Sequence, residues 1–195
     1  MTRRTLKVVR SHDDGVIPAV GDYTIDPAHS SVDFVSRHLM ITKVRGRFAE
    51  VFGTITIDEE PERSHVDAMV NVASLNSGNA DRDRHLLSAD FFDADEYPTI
   101  VFRSTKIEPG GSGAWHVTGD LTVRDVTRAV TLDVNFDGAN ATPDGDERVA
   151  FSAATEIDRD DIGVTWNVAL ESGGVLIGKK VGIELNIEAV AKGEI

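Results

Sequence analysis

The chain has 195 residues, of which 41% are hydrophobic and 27% are charged, and its formal net charge is −13. This length suffices for one domain with a sizeable core, and the composition is ordinary for a globular protein. The negative charge argues against a nucleic-acid partner, because phosphate binding needs clustered Lys and Arg side chains. The absence of cysteine excludes disulfides, thiolate catalysis and a Cys-ligated metal.

Residues 1–20 are predicted to form a flexible N-terminal extension, because Asp13, Asp14 and Pro18 interrupt any periodic pattern. The apolar residues near the start are too few and too interrupted by basic side chains for the core of a secretory signal. No other stretch approaches the roughly 18 uninterrupted apolar residues of a membrane span. We therefore expect a cytoplasmic protein that is not integral to a membrane, with its folded domain at residues 21–195.

From Tyr23 onward, apolar and polar side chains alternate in short segments, which predicts strands with one dry and one wet face. The clearest alternating segments are 66–72, 115–123, 130–136, 149–157 and 181–189. Turn-forming residues at 109–113 and 137–146 separate neighbouring segments as in hairpins. Residues 80–88 are predicted to be a short helix, with a brief second helical turn around 37–41.

About eight such strands and one or two short helices predict an all-β fold, namely an antiparallel β-barrel. A two-sheet sandwich would give the same alternation, so the pattern alone leaves both architectures open. An eight-stranded barrel encloses either packed side chains or one small ligand.

An ordered set of residues near the start of the domain resembles the opening of the YceI-like family. The set consists of Asp26, Pro27, His29, Ser30, Phe34, His38, Gly46 and Phe48. The resemblance continues in segments 91–94, 97–100, 119–123 and 158–163, and it covers roughly residues 21–190. It implies a bacterial lipocalin-like β-barrel that holds a polyisoprenoid chain, and it favours the barrel over the sandwich.

The function that this resemblance implies is non-catalytic binding, transport or storage of a long isoprenoid lipid, such as a polyprenyl phosphate or an isoprenoid quinone. No cofactor other than the bound lipid is expected. Inward aromatic side chains form both the core and the pocket wall of a barrel. The candidates for contact with the lipid tail are Phe34, Phe52, Phe102, Trp115, Phe136, Phe151 and Trp166.

A basic cluster in an otherwise acidic chain is the candidate site for the lipid head group, because Arg pairs well with phosphate oxygens. Its proposed members are Arg37, His38, Arg45 and Arg47. A solvated loop that offsets nearby acids is the alternative interpretation. The charged turn at 158–161 is predicted to be solvated and held by local ion pairs.

Two alternative functions remain open. One is a small enzyme acting on a lipid-like substrate in the same cavity, with Asp26, His29 and His38 as its polar groups. The other is a ligand-free stress-response barrel whose interior is filled by side chains. The histidine spacing does not match a metal site, and no Gly-x-Ser-x-Gly elbow is present, so neither a metal nor catalysis is expected. A homodimer is possible on sequence grounds.

Overall fold

The structure, a computed structural model, describes residues 8–12, 15–111, 113–171 and 173–192. Its strands are β1 (Val9–His12), β2 (Gly15–Pro18), β3 (Gly21–Ile25), β4 (Ser31–His38), β5 (Thr42–Phe48), β6 (Val51–Ile57), β7 (His65–Asn71), β8 (Leu75–Asn76), β9 (Thr99–Gly111), β10 (Ala114–Val123), β11 (Val126–Ala141), β12 (Glu147–Asp158) and β13 (Lys180–Ala191). The helix α1 covers Ala80–Leu87, and short 3-10 turns cover Pro61–Arg63 and Val72–Ser74.

Antiparallel pairing runs around a complete ring, because β12, at one end of the sheet order, also pairs with β13. Both β3 and β4 pair with β13, so together they occupy one position in the wall. Next to them, β6 pairs with β3 and β5 pairs with β4, which makes a second composite position. With β7 and β9 to β13, these positions give a closed barrel of eight strands. The predicted all-β antiparallel barrel is confirmed.

The helix α1 begins as the sequence predicts. The Asn79 side chain caps it by accepting a hydrogen bond from the Arg82 backbone N–H at 2.9 Å. None of its residues is buried, and Leu86 packs against the barrel core. No helix within the described ranges is long and apolar enough to cross a bilayer.

Two local predictions differ from the structure. Strand β11 continues through the predicted turn at 137–146 as far as Ala141, because Gly138, with φ of 129°, allows a shift of register opposite β12. The predicted helical turn at 37–41 does not form. Strand β4 instead runs to His38, and Leu39 and Met40 make a tight turn with φ of 53° and 59°.

Within the N-terminal extension, β1 and β2 pair as a hairpin that lies across one end of the barrel. Val8 and Ile17 are buried there, and the Arg10 guanidinium donates to two backbone carbonyl oxygens in the turn after β6, at 2.5 and 2.9 Å. The sequence led us to expect a flexible segment, whereas these described residues pack on the barrel. Residues 1–7 and 13–14 lie outside the described part, and the predicted domain boundary remains a prediction.

Candidate functional site: an apolar cavity in the barrel

The barrel encloses a continuous cavity of about 650 Å³. Small-molecule sites commonly measure about 300–1,000 Å³. Its wall is almost entirely apolar, because alternation on each strand sends one set of side chains inward. At one end, here called the hairpin end, Ile17, Pro18 and Trp115 line it. At the opposite end, here called the mouth, its lining includes Arg37, which is exposed, and His85 of α1.

Most of the aromatic residues predicted to contact the lipid tail line this cavity. They are Phe34, Phe102, Trp115, Phe136, Phe151 and Trp166. Phe52 does not, because β6 turns Val51 and Ile55 inward and therefore places Phe52 on the outer surface, where it is 38% exposed. Contact between the six lining residues and a lipid remains a prediction.

The four residues predicted to hold a head group divide into two pairs. Arg37 and His38 line the mouth at the end of β4. Arg45 and Arg47 lie on the outer face of the barrel, because their neighbours on β5 occupy its inner face. The Arg47 Nε donates to the Asp33 carboxylate at 2.7 Å. The structure therefore brings only Arg37 and His38 to the cavity.

Ser36 is a polar cavity residue that the sequence reasoning did not single out. Its hydroxyl is buried and has no hydrogen-bond partner among the described residues. A buried polar group of this kind is uncommon in proteins and calls for an explanation. The signal was present in the sequence, because Ser36 follows Phe34 by two residues on β4 and so shares its inward face.

Arg159 is a second missed residue, and the prediction that the turn at 158–161 is solvated is wrong for it. Its side chain lines the cavity, and the residue is only 4% exposed. Nη1 donates to the carbonyl oxygens of Val164 at 2.7 Å and Trp166 at 2.9 Å, and Nε donates to that of Gly178 at 3.2 Å. Burial lowers the pKa of Arg159, against the opposing influence of neighbouring carboxylates.

These hydrogen bonds from Arg159 hold the backbone of the segment that follows β12 in place. By holding three carbonyl groups, the guanidinium fixes Trp166 beside α1. There His85 meets Trp166 and Phe91 edge-on, with ring centroids 4.6 and 5.0 Å apart. His85 also bonds the Asp90 carboxylate at 2.9 Å. An aromatic rim therefore forms one side of the mouth.

A polar cluster outside the cavity contains Asp26, His29 and Glu188, whose potential ligand atoms lie within 4.8 Å of one another. The Arg148 guanidinium lies among them, donating to Asp26 and, at 2.6 Å, to Glu188. The Arg148 guanidinium therefore already provides these groups with the positive charge that a metal ion would bring. Hydrogen bonds from Arg148 and His29 lower the pKa of Asp26 to about 2.

The structure does not assemble the polar groups that the enzyme alternative requires. Of Asp26, His29 and His38, only His38 lines the cavity. The His29 Nδ1 lies 2.9 Å from the Asp26 carboxylate, which ties the turn between β3 and β4 together. This cluster stabilises a strand connection and does not belong to the described cavity lining.

Comparison with known proteins agrees with this architecture. The family model for the YceI-like domain matches residues 23–189. A UPF0312 protein of Staphylococcus aureus (strain N315) is 36% identical over 170 residues, which cover 86% of this chain and 96% of the relative. A UPF0312 protein of Vibrio parahaemolyticus is 37% identical over 176 residues, covering 88% of each chain.

Solved structures show the same fold. Burkholderia cenocepacia BcnA superposes with a TM-score of 0.71 at 24% identity, covering 84% of this chain and 98% of that one. The Campylobacter jejuni YCEI protein gives 0.66 at 29% identity, with coverages of 80% and 90%. A polyisoprenoid binding domain from Saccharophagus degradans, implicated in plant cell wall breakdown, gives 0.64 at 16% identity, with coverages of 87% and 98%.

Proposed function

Because the chain belongs to the YceI-like family, we propose that its barrel binds a long isoprenoid lipid without chemical turnover and carries or stores it. The observation that carries this proposal is the continuous apolar cavity of about 650 Å³. Protein interiors are otherwise close-packed, with few voids larger than a water molecule. A barrel filled by its own side chains would not leave this space, which argues against the ligand-free alternative.

The two ends of the cavity suit an amphiphile with a polar head and an apolar tail. An isoprenoid tail would lie against the aromatic and aliphatic wall, where each buried methylene-sized group contributes about 0.8 kcal/mol. The head would lie at the mouth, near Ser36, Arg37 and His38. A phosphate or quinone oxygen there would accept a hydrogen bond from the Ser36 hydroxyl, which has no partner among the described residues.

Binding rather than catalysis is favoured because, of the three groups considered for the enzyme alternative, only His38 lines the cavity. The name of the Saccharophagus degradans neighbour, a polyisoprenoid binding domain, supports the choice of ligand class. We retain as proposals a cytoplasmic location and a possible homodimer.

Ala153 and Ala154 on β12 provide a matched test, since Ala153 lines the cavity and Ala154 lies exposed on the other face of the strand. We expect Ala153→Phe to weaken the binding of long prenyl lipids by about tenfold, because the ring fills part of the volume, while Ala154→Phe binds as the parent does. Overpacking costs about 1–3 kcal/mol, so thermal unfolding of both variants is measured alongside.

Organic extraction and mass analysis of the purified parent protein would identify the lipid it carries. Equal affinity of the folded Ala153→Phe variant and the parent for prenyl lipids would show that the cavity is not the binding site.

A further inference from the structure

Exposed apolar side chains are concentrated beside the mouth. Leu39, Met40 and Ile41 form the turn between β4 and β5, and Ile41 is 77% exposed. Val168 is exposed on the adjoining loop, which is joined to the turn by backbone bonds from Leu39 to Leu176 at 2.8 Å and from Leu176 to Val168 at 2.9 Å. We call Leu39, Met40, Ile41 and Val168 the apolar tip. Clustered exposed apolar residues of this kind mark interaction sites.

The same hairpin carries cations, one of them at the mouth and two on its outer face. Arg37 lies directly opposite Lys43, and Arg45 lies two pairs further along, opposite Val35. All three are exposed and have no acidic partner within 4 Å among the described residues, whereas Arg47 is neutralised by Asp33. Like charges that face each other across strands repel. In a chain of net charge −13, this local surface would therefore be stabilised by an external anion.

These features are continuous with the cavity. Arg37 and His38 line the mouth and immediately precede the apolar tip. His38 also forms a β-bridge with Ile177, another lining residue, which anchors the turn at the rim. A surface that contacts the apolar tip would thus lie against the mouth.

We propose that the apolar tip, with Arg37, Lys43 and Arg45, docks the mouth onto a bilayer surface that contains anionic lipids. The reason for such docking rests on the proposed function, since an isoprenoid could then pass between bilayer and cavity with little exposure to water. Apolar side chains inserted at the interface and basic side chains over anionic head groups are the combination that binds proteins reversibly to membranes.

A bilayer suits this surface better than a protein partner does. The apolar tip is a convex turn with few side chains, whereas a specific protein interface buries about 800 Å² on each partner. An exposed apolar turn with cations on the strands beside it matches the layered chemistry of a membrane, in which anionic head groups overlie hydrocarbon. No complementary groove is needed.

Flotation with vesicles of phosphatidylcholine, with or without phosphatidylglycerol, tests the docking. We expect the parent to float with the mixed vesicles, and Met40→Asn/Ile41→Asn to reduce its partition coefficient by about tenfold or more. Asn tolerates the positive φ at Met40. The control is Val16→Asn/Val20→Asn, which removes two exposed apolar side chains at the hairpin end and should float like the parent.

The charges are tested separately with Lys43→Gln/Arg45→Gln. Each basic side chain near an anionic surface strengthens binding by about fivefold, so the double variant should lose about tenfold or more on mixed vesicles. Its binding to phosphatidylcholine alone should equal that of the parent. Lys106→Gln/Lys192→Gln removes the same charge from β9 and from the residue after β13, both away from the mouth, and should bind the mixed vesicles like the parent.

Binding of farnesol, followed in the absence of vesicles, separates this proposal from the lipid-binding function. Farnesol binding without vesicle binding, or flotation of the tip variants at the level of the parent, would overturn the docking and leave the proposed function intact. Vesicle binding that depends on the apolar tip, with no prenyl ligand bound, would support the docking and contradict the proposed function.

Discussion

Single glycines make room for the aromatic rings that shape the cavity. Gly46 on β5 lies directly opposite Phe34 on β4, and a Cβ at Gly46 would overlap the Phe34 ring. A Cβ at Gly119 would overlap both the Arg103 carbonyl oxygen and the ring of Phe102, another lining residue. The sequence shows these glycines within strands, but the ring that each accommodates depends on the strand register.

Replacing Gly46 by Ala should therefore both destabilise the barrel and change the cavity. Overlap with the Phe34 ring should lower the free energy of unfolding by about 1–3 kcal/mol, measured in urea. Gly182→Ala is the control, because a Cβ there would meet only the Val35 carbonyl oxygen at 4.0 Å. Equal stability of the two variants would show that Phe34 is not held in this position.

Asp26 makes a pH-dependent contribution to stability. Its hydrogen bonds with Arg148 and His29 lower its pKa from 3.8 to about 2. The folded state thus favours the ionised carboxylate, so this contribution is complete above the ordinary pKa and is lost as the pH falls towards 2. The interaction works between strands, because Arg148 is on β12 and Asp26 follows β3.

Asp26→Asn should lower the free energy of unfolding at neutral pH by about 1–3 kcal/mol, the typical effect of removing a hydrogen-bonded charge. The difference from the parent should shrink between pH 3.8 and about pH 2, where the parent carboxylate is protonated. Asp144→Asn, in the exposed turn between β11 and β12, should follow the parent at every pH. A difference that stays constant with pH would contradict the assigned ion pair.

At the scale of elements, the alternation of inward and outward side chains along each strand explains most of the cavity lining. It also explains where the sequence-based prediction of the site differs from the structure. Continued from Phe34, it places Ser36 inside the barrel, and continued from Ile157 on β12 it places Arg159 inside. The same alternation places Phe52 on the outer surface and so excludes it from the cavity wall. The sequence prediction weighed aromatic and basic character more heavily than the face of the strand, and it missed or misplaced these residues for that reason.

The part of the mouth formed by α1 and by the segment after β12 could not be predicted in this way, because these elements lack strand periodicity. Contact between His85 of α1 and Trp166 joins residues that are far apart in sequence. Arg159 positions Trp166 by donating a hydrogen bond to its backbone carbonyl oxygen. Because every residue has such a carbonyl group, the residue types do not reveal this contact. The position of α1 itself was predicted well, since its N-cap is a local signal.

The hairpin of β1 and β2 is the element that lies outside the residues matched by the family model, 23–189. Ile17 is 8% exposed and lines the cavity, whereas Val16 beside it is 56% exposed. We expect Ile17→Ser to loosen the hairpin, because about 1.5–3 kcal/mol of side-chain burial is lost. Amide hydrogen exchange in β1 and β2 should become at least about tenfold faster.

Val16→Ser is the matched control for this loosening and should leave the exchange rates unchanged. If Ile17→Ser and Val16→Ser exchanged alike, the hairpin would not be held by the barrel end, and Ile17 would not form part of the cavity wall.

At the scale of the whole molecule, closure of the ring allows an eight-stranded protein to keep an apolar cavity in its interior. Every wall strand has hydrogen-bonded neighbours on both sides, so no sheet edge remains along most of the barrel. Stability can then come from the ladder and from two clusters of buried side chains, which include part of the cavity wall and still leave the cavity between them.

The two tryptophans of the chain lie at opposite ends of the cavity and allow the central claim to be measured. Trp166 is at the mouth and Trp115 is at the hairpin end. In Trp115→Phe and Trp166→Phe variants, the remaining tryptophan reports on one end alone. Titration with prenols of increasing chain length then follows both affinity and depth of insertion.

We predict that affinity rises with chain length until the cavity is full. With the head at the mouth, the fluorescence of Trp166 should respond to prenols of every length, and that of Trp115 should respond only to the longer ones. Affinity that does not increase with chain length, together with an unchanged Trp115 signal, would contradict the isoprenoid-binding barrel.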